Sequence, residues 1–292
     1  TDTFQTKNIM KAAGFCCKNK KRVRQSKFPE EPLYYVLLIA SKIDSPMEYK
    51  MDHKRRGLAL IFNHENFKNE KKLTKRCGTN IDRDNLKERT DLFTVNCVVQ
   101  CQHCKLFKTT AAAANHKDAD CFVCIFLTHG EEGKINAYDD KIKIKEITDY
   151  FRGDQCKSLV GKPKIFIFQA CAGKKREVAV TGMMAGGSYN EEQVEEAANI
   201  YTIPAGADFL MCYSAAEGFV SFRLIESGTF YIQDLCETVQ QYGSTMEFTE
   251  LLTLVNLKVS RRTADGQDFR NKKQMPCFTS MLTKRLYFRS KK

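Results

Sequence analysis

The sequence predicts an α/β fold, a mostly parallel sheet with helices on both faces. Three observations carry this. Residues 58–62, 122–127, 164–168 and 209–213 are continuous apolar runs rich in β-branched and aromatic side chains, as strands buried on both sides must be. Stretches with helical spacing of apolar residues fall between and after them, which is the alternation that builds parallel units. Two successive runs end in residues suited to chemistry, Thr128-His129-Gly130 and Gln169-Ala170-Cys171-Ala172-Gly173, and such sheets collect their ligands at the carboxyl ends of strands.

Composition supports a globular chain. At 292 residues, 42% hydrophobic and 11% aromatic, it can bury a full core and is not of the disordered class. Its 13 cysteines are odd in number and irregularly spaced, and Cys121, Cys124 and Cys212 lie inside apolar runs, so they read as reduced thiols of an intracellular protein. The net charge of +12 reads as a basic, solvated surface with its densest cluster at residues 18–27. No zinc-finger or RRM-like pattern accompanies it, so a specific nucleic-acid partner is not expected. The apolar stretch at 33–40 is too short to span a bilayer, and no transmembrane segment is expected.

In chain order, residues 1 to about 45 have weak periodicity and read as an irregular basic pre-segment. Residues 58–62, after Gly57, form the first strand. Thr79 to Leu86 is a polar helix with Thr79 or Asn80 as its cap. Residues 94–99 form a second strand and 106–114 a helix. The run 122–127 is the third strand, 142–151 a short amphipathic helix and 164–168 the fourth strand, entered from Pro163. From Lys174 to Asn199 no apolar period survives, and glycines give way to glutamates, so this is a flexible linker. Order resumes with the strand at 209–213, helices at 231–242 and 248–259, and a closing strand at 277–288.

A cysteine is a useful nucleophile only as thiolate or beside a base. His129, at the end of the strand before that of Cys171, is the candidate base. The backbone N–H groups of Gly130 and Cys171, at sharp strand exits, are candidate donors for an oxyanion.

The residues around this pair carry a family resemblance. Gln169-Ala170-Cys171-Ala172-Gly173 resembles the active-site motif of caspases, and Thr128-His129-Gly130-Glu131-Glu132-Gly133 resembles their histidine motif. Residues 120–124, 159–167, 204–214 and 247–256 extend the likeness, which covers about residues 48–290 and points to the effector branch. The resemblance implies a caspase-like, mostly parallel six-stranded sheet and a cysteine endopeptidase cutting after aspartate, with an effector-like role in apoptosis. It implies His129 and Cys171 as the catalytic pair. It also implies Arg76, Gln169 and Arg223 as the pocket for the substrate aspartate. Two permanent cations with planar forks suit a buried carboxylate. Ser221 to Arg223 would take the substrate backbone as an added strand. Also implied are a pro-segment at 1–47, a large-subunit region at 48–173, an intersubunit linker at 174–199 and a small-subunit region at 200–292. Protein substrates, a homodimer through the last strand around 278–286, a cytoplasmic location with nuclear access from the basic cluster, and no metal or organic cofactor complete the expectation.

Some positions depart from the family pattern. Ala172 stands where most members have arginine, and Val220 and Phe230 stand where tyrosine and tryptophan are usual in the substrate cleft. No aspartate lies between Cys171 and Asp208, so Glu192 and Glu196 become the candidate processing sites of the linker. Ala172 and the aspartate-free linker motivate a rival reading, a catalytically weak homologue that binds active caspases as partner or decoy. Cys97 and the Cys101-Gln102-His103-Cys104 cluster have zinc-like spacing but no second pair, and read as coincidence.

Overall fold

A computed structural model describes residues 47–68, 73–89, 94–98, 115–178, 204–264 and 271–291. Its frame is one six-stranded sheet. The strands are β1 (Arg55–Asn63), β2 (Thr94–Val98), β3 (Ala119–Leu127), β7 (Lys164–Gln169), β10 (Phe209–Tyr213) and β15 (Cys277–Ser280). Their order is β15-β10-β7-β3-β1-β2. All neighbours run parallel except β10 and β15. The expected α/β class, the six strands and their mostly parallel sense are all present.

The central strands have no wet face, which is why their sequences do not alternate with polar residues. One set of side chains, including Ile61, Val123, Ile125, Ile165, Ile167 and Leu210, packs with Leu86 of α1 (Thr79–Arg89) and with two later helices. These are α3 (Phe230–Tyr242) and α4 (Phe248–Arg261), whose expected stripes through Leu235 and Leu252 are buried there. The opposite set is aromatic: Phe62, Phe122, Phe126, Phe166, Phe168 and Phe209. Phe126 and Phe168 stack at 5.3 Å and 3°. This face is covered by α2 (Ile144–Asp149), by Phe151 and Leu159, and by a small meander of β4 (Gly130–Glu131), β5 (Lys134–Asn136) and β6 (Lys141–Lys143). Cys121 and Cys124 are fully buried in the two layers, as their apolar setting predicts.

Four local expectations differ from the structure. Residues 142–151 are not one helix: Lys141-Ile142-Lys143 alternates exposed, buried, exposed as a strand, and only Ile144–Asp149 is helical. Neither Thr79 nor Asn80 caps α1. The Thr79 hydroxyl accepts from Arg76 and donates to Asn63, and the Asn80 amide donates to Glu65. The last strand stops at Ser280, because the chain beyond it turns inward. Arg285 exchanges backbone bonds with the segment at Met47 and Tyr49, and Leu286 and Phe288 insert into the core. The linker is ordered for its first residues: β8 (Gly173–Lys175) pairs with β11 (Gly218–Phe219), and β9 (Glu177–Val178) pairs with β14 (Lys272–Lys273). The expectations for residues 1–45, the helix at 106–114, the Cys101–Cys104 cluster and the rest of the 174–199 linker, from 179 on, lie outside the described residues.

Away from the strand ends, Asp120 ties distant parts of the chain together. Its carboxylate is fully buried and accepts from the His53 backbone at 2.8 Å, with Lys291 Nζ at 2.7 Å and Arg56 at 3.4 Å. Among the described residues, no helix is long and apolar enough to cross a membrane.

Candidate active site

Strand register sets the site. Leu127 of β3 is the Cα partner of Gln169 of β7, so the residues two positions further on, His129 and Cys171, leave adjacent central strands at the same level. Gly130 lets these two exits approach. A Cβ there would stand 2.7 Å from the Cys171 carbonyl oxygen and 2.9 Å from the Ala170 methyl. That closeness is the physical content of glycine after the histidine.

The His129 ring is held from behind. Its Nε2 is 2.8 Å from the Thr74 carbonyl. A carbonyl only accepts, so Nε2 carries the hydrogen and neutral His129 keeps Nδ1 as its basic atom. Phe67 packs on the ring at 5.1 Å between centroids. Asn136 on β5 fixes the backbone, donating both its amide N–H and its side-chain N–H to the His129 carbonyl. Burial lowers the His129 pKa, and the positive charges of Arg76 and Arg223 push the same way against the Thr74 bond. The imidazole is therefore neutral at pH 7, as a proton acceptor should be.

Cys171 is half-buried and a free thiol. Its sulfur receives the Ser221 N–H at 3.5 Å and lies 3.8 Å from the Ser221 carbonyl oxygen. The Ala172 backbone binds that of Phe219 and Gly218, so the peptide after Cys171 is stitched to the segment that leads to Ser221. Ala172 also lines a second cavity of about 380 Å³, shared with Cys171, Tyr213, Glu217 and Cys277.

Arg76, His129, Gln169, Cys171, Val220, Ser221, Arg223 and Phe230 converge on one cavity of about 300 Å³. Arg76 is 1% exposed, and its guanidinium donates to Thr79 Oγ1 at 2.6 Å and to the His64 carbonyl at 3.4 Å. Burial, with the repulsion of Arg223 second, lowers its pKa to about 9, so it remains a cation at neutral pH. Arg223 is half-buried in β12 (Arg223–Leu224) and donates Nε to the Cys77 carbonyl at 2.9 Å. The Gln169 amide binds Ser221 Oγ at 2.8 Å. Val220 and Phe230 form the apolar end of the cavity with Phe222, Leu224 and Ala264. Phe230 is buried, with the Arg262 guanidinium 5.1 Å from its ring centre. The side chains singled out for the site thus line one cavity, and Gly130 lies against the backbone of Cys171 rather than in the lining.

Three contributors were not foreseen. Thr74 acts through its carbonyl. Gln274 accepts from the Phe222 N–H at 2.7 Å and donates to the Ser214 carbonyl at 2.7 Å, fastening the Ser221 segment to the sheet. Asp82, on α1, is fully buried near both arginines. None has a sequence signal of its own, except that Asp82 is a carboxylate one turn into a helix that follows Arg76. Among the described residues no group of histidine, cysteine and acidic side chains is arranged to hold a metal ion.

A family profile described as Caspase domain matches residues 56–287. Caspase-6 of Mus musculus is 53% identical over 257 residues, covering 84% of this chain and 93% of that protein. Caspase-7 of Gallus gallus is 38% identical, covering 82% and 80%. A crystal structure of Caspase-1 from Spodoptera frugiperda aligns with a TM-score of 0.75 and 36% identity, over 85% of this chain and 95% of that one.

Proposed function

The chain belongs to the caspase family, and we infer from its site how it carries out that family's reaction. It is a cysteine endopeptidase of the effector type, hydrolysing protein substrates after aspartate in apoptotic signalling. The observation that carries the assignment of residues is the shared cavity, which brings a thiol, a neutral imidazole and two guanidiniums together at the ends of β3 and β7.

In this reading the substrate aspartate enters between Arg76, Gln169 and Arg223, and its backbone lies along Ser221. Val220 and Phe230 border the neighbouring side chain. The Cys171 sulfur attacks the carbonyl carbon while His129 Nδ1 takes the thiol proton. The amides of Gly130 and Cys171 receive the oxyanion. The imidazolium then protonates the leaving amine, and the C–N bond breaks to leave a thioester. A water molecule, deprotonated by His129, hydrolyses the thioester and restores the thiol.

The same proposal includes division into large (48–173) and small (200–292) regions by cutting within the linker. It includes a homodimer across the free side of β15, which has no strand partner among the described residues. A cytoplasmic site of action also belongs to it. The edge is shorter and less apolar than expected, since Thr279 and Ser280 are exposed while Leu286 is buried. The binding-only alternative is not favoured, because no member of the pair or the pocket is missing.

The test is release of a fluorophore from a peptide ending in aspartate, by the intact chain and by chain cut between residues 179 and 203. Release by either form, abolished by Cys171→Ala, is the expected result. No release above that control by either form would overturn the enzymatic reading.

A further inference from the structure

We propose that Asp82 sets the charge selectivity of the aspartate pocket: its buried carboxylate is a built-in counter-anion that leaves room for one further negative charge and disfavours two. The inference rests on the reading of Arg76 and Arg223 as that pocket.

Asp82 has no exposed surface. Its Oδ1 accepts from the Thr229 N–H at 2.8 Å, while Oδ2 is buried with no hydrogen-bond partner among the described residues. Thr229 lies in β13 (Gly228–Thr229) and is the Cα partner of Arg223 across the β12–β13 hairpin. The hairpin presses close, for a Cβ on Gly228 would stand 2.4 Å from Asp82 Oδ1. On the other side, Thr79 at the start of the same helix holds the Arg76 guanidinium. Asp82 thus sits on the helix that follows Arg76 and is bonded to the strand paired with that of Arg223, yet it forms an ion pair of hydrogen-bonding length with neither arginine.

Burial raises the Asp82 pKa to about 6, while the Thr229 bond and the two arginines pull it back. At pH 7.5 it is ionised. Two guanidiniums and one carboxylate then leave the empty pocket with a single net positive charge, which one substrate carboxylate neutralises. A dianion would leave an uncompensated charge in a buried site, where the cost is high. A carboxylate whose ionisation burial opposes, kept beside a binding cavity, suits a functional role.

The experiment compares two peptides at pH 7.5, identical except for aspartate or phosphoserine before the scissile bond, on wild-type chain and on Asp82→Asn. The amide keeps an acceptor for the Thr229 N–H, and only the charge goes. The expected result is a rise of tenfold or more in the ratio of kcat/KM for phosphoserine to that for aspartate, with Tm unchanged or higher. Asp82→Ser should change the ratio in the same direction. A ratio within twofold of wild type in a folded variant overturns the inference while leaving the pocket intact. Loss of the fold in both variants also overturns it, since the role would then be structural. If wild-type chain cuts neither peptide, the pocket reading itself fails and takes this inference with it.

Discussion

The Cys171 sulfur lies 3.5 Å from the amide nitrogen of Ser221, so the segment between β11 and β12 touches the thiol directly. No hydrogen bond joins this sulfur to His129 among the described contacts. Ser221 thus has two duties, since its hydroxyl also accepts from the Gln169 amide at the pocket floor.

Ser221→Ala leaves the backbone contact and removes only the hydroxyl. Gln169 then loses its orientation, at a cost of about 1 kcal/mol for one net hydrogen bond. The expected outcome is a KM for aspartate peptides raised about fivefold, with kcat nearly unchanged, because the bond serves ground state and transition state alike. Steady-state kinetics decide, and an unaltered KM would remove Ser221 from the pocket.

Gly130→Ala places a methyl against the Cys171 carbonyl and Ala170. Backbone cannot yield as a flexible side chain does, so the two strand exits must separate. The expected effect is a fall in kcat of about 100-fold, as small displacements at reacting groups cost rates of that order. Stability should drop by about 1–3 kcal/mol, as for overpacking. A variant with wild-type kcat would show that the approach of the two loops is unimportant.

In the proposed mechanism His129 must be neutral to accept the thiol proton, and burial with two nearby arginines holds its pKa below the ordinary value. Activity should be lost as pH falls through that lowered pKa, so the acid limb of kcat/KM lies below about 6.5, the ordinary histidine value. Replacing Arg223 with glutamine should move this limb upward by removing one of the charges. A limb at or above 7 in the wild type would contradict the electrostatics described.

Asp120→Asn tests the anchor at the other end of the sheet. The amide cannot neutralise Arg56 and Lys291, which face it at 3.4 and 2.7 Å. Breaking such a buried pairing costs about 3 kcal/mol. In a chain of this size that is a fall in Tm of roughly 5 °C. Activity measured well below the transition should be unaffected, because no part of the cluster reaches the cavity. Thermal unfolding followed by circular dichroism provides the check.

The sheet was legible because strands buried on both faces carry continuous apolar runs, and 209–213 matches β10 residue for residue. His129 and Cys171 were legible for the same reason: each follows such a run and stands out against it. Residues 142–151 misled because Ile144, Ile147 and Phe151 recur at helix spacing, which hides the strand that Ile142 belongs to. Arg76 and Arg223 could be picked from many cations only through resemblance. Thr74 and Gln274 could not be read at all, since a carbonyl pointing at a ring and an amide bridging two backbones depend on tertiary placement. The closing strand was overextended because Leu286 and Phe288 are apolar for the sake of the core, not of a sheet edge.

The pairing of β7 with β10 has a consequence for the severed protein. These neighbours lie on opposite sides of residues 179–203, in register from Lys164 with Phe209 to Phe168 with Tyr213. A break in that interval produces two polypeptides, yet each owns only part of every layer. The piece ending before the break holds β1, β3 and β7 without the helices α3 and α4 that cover one of their faces. Neither half can hide its apolar surface alone. The nicked molecule should therefore migrate as a single particle in native separations and come apart only under denaturing ones, an obligate complex made from what was one chain.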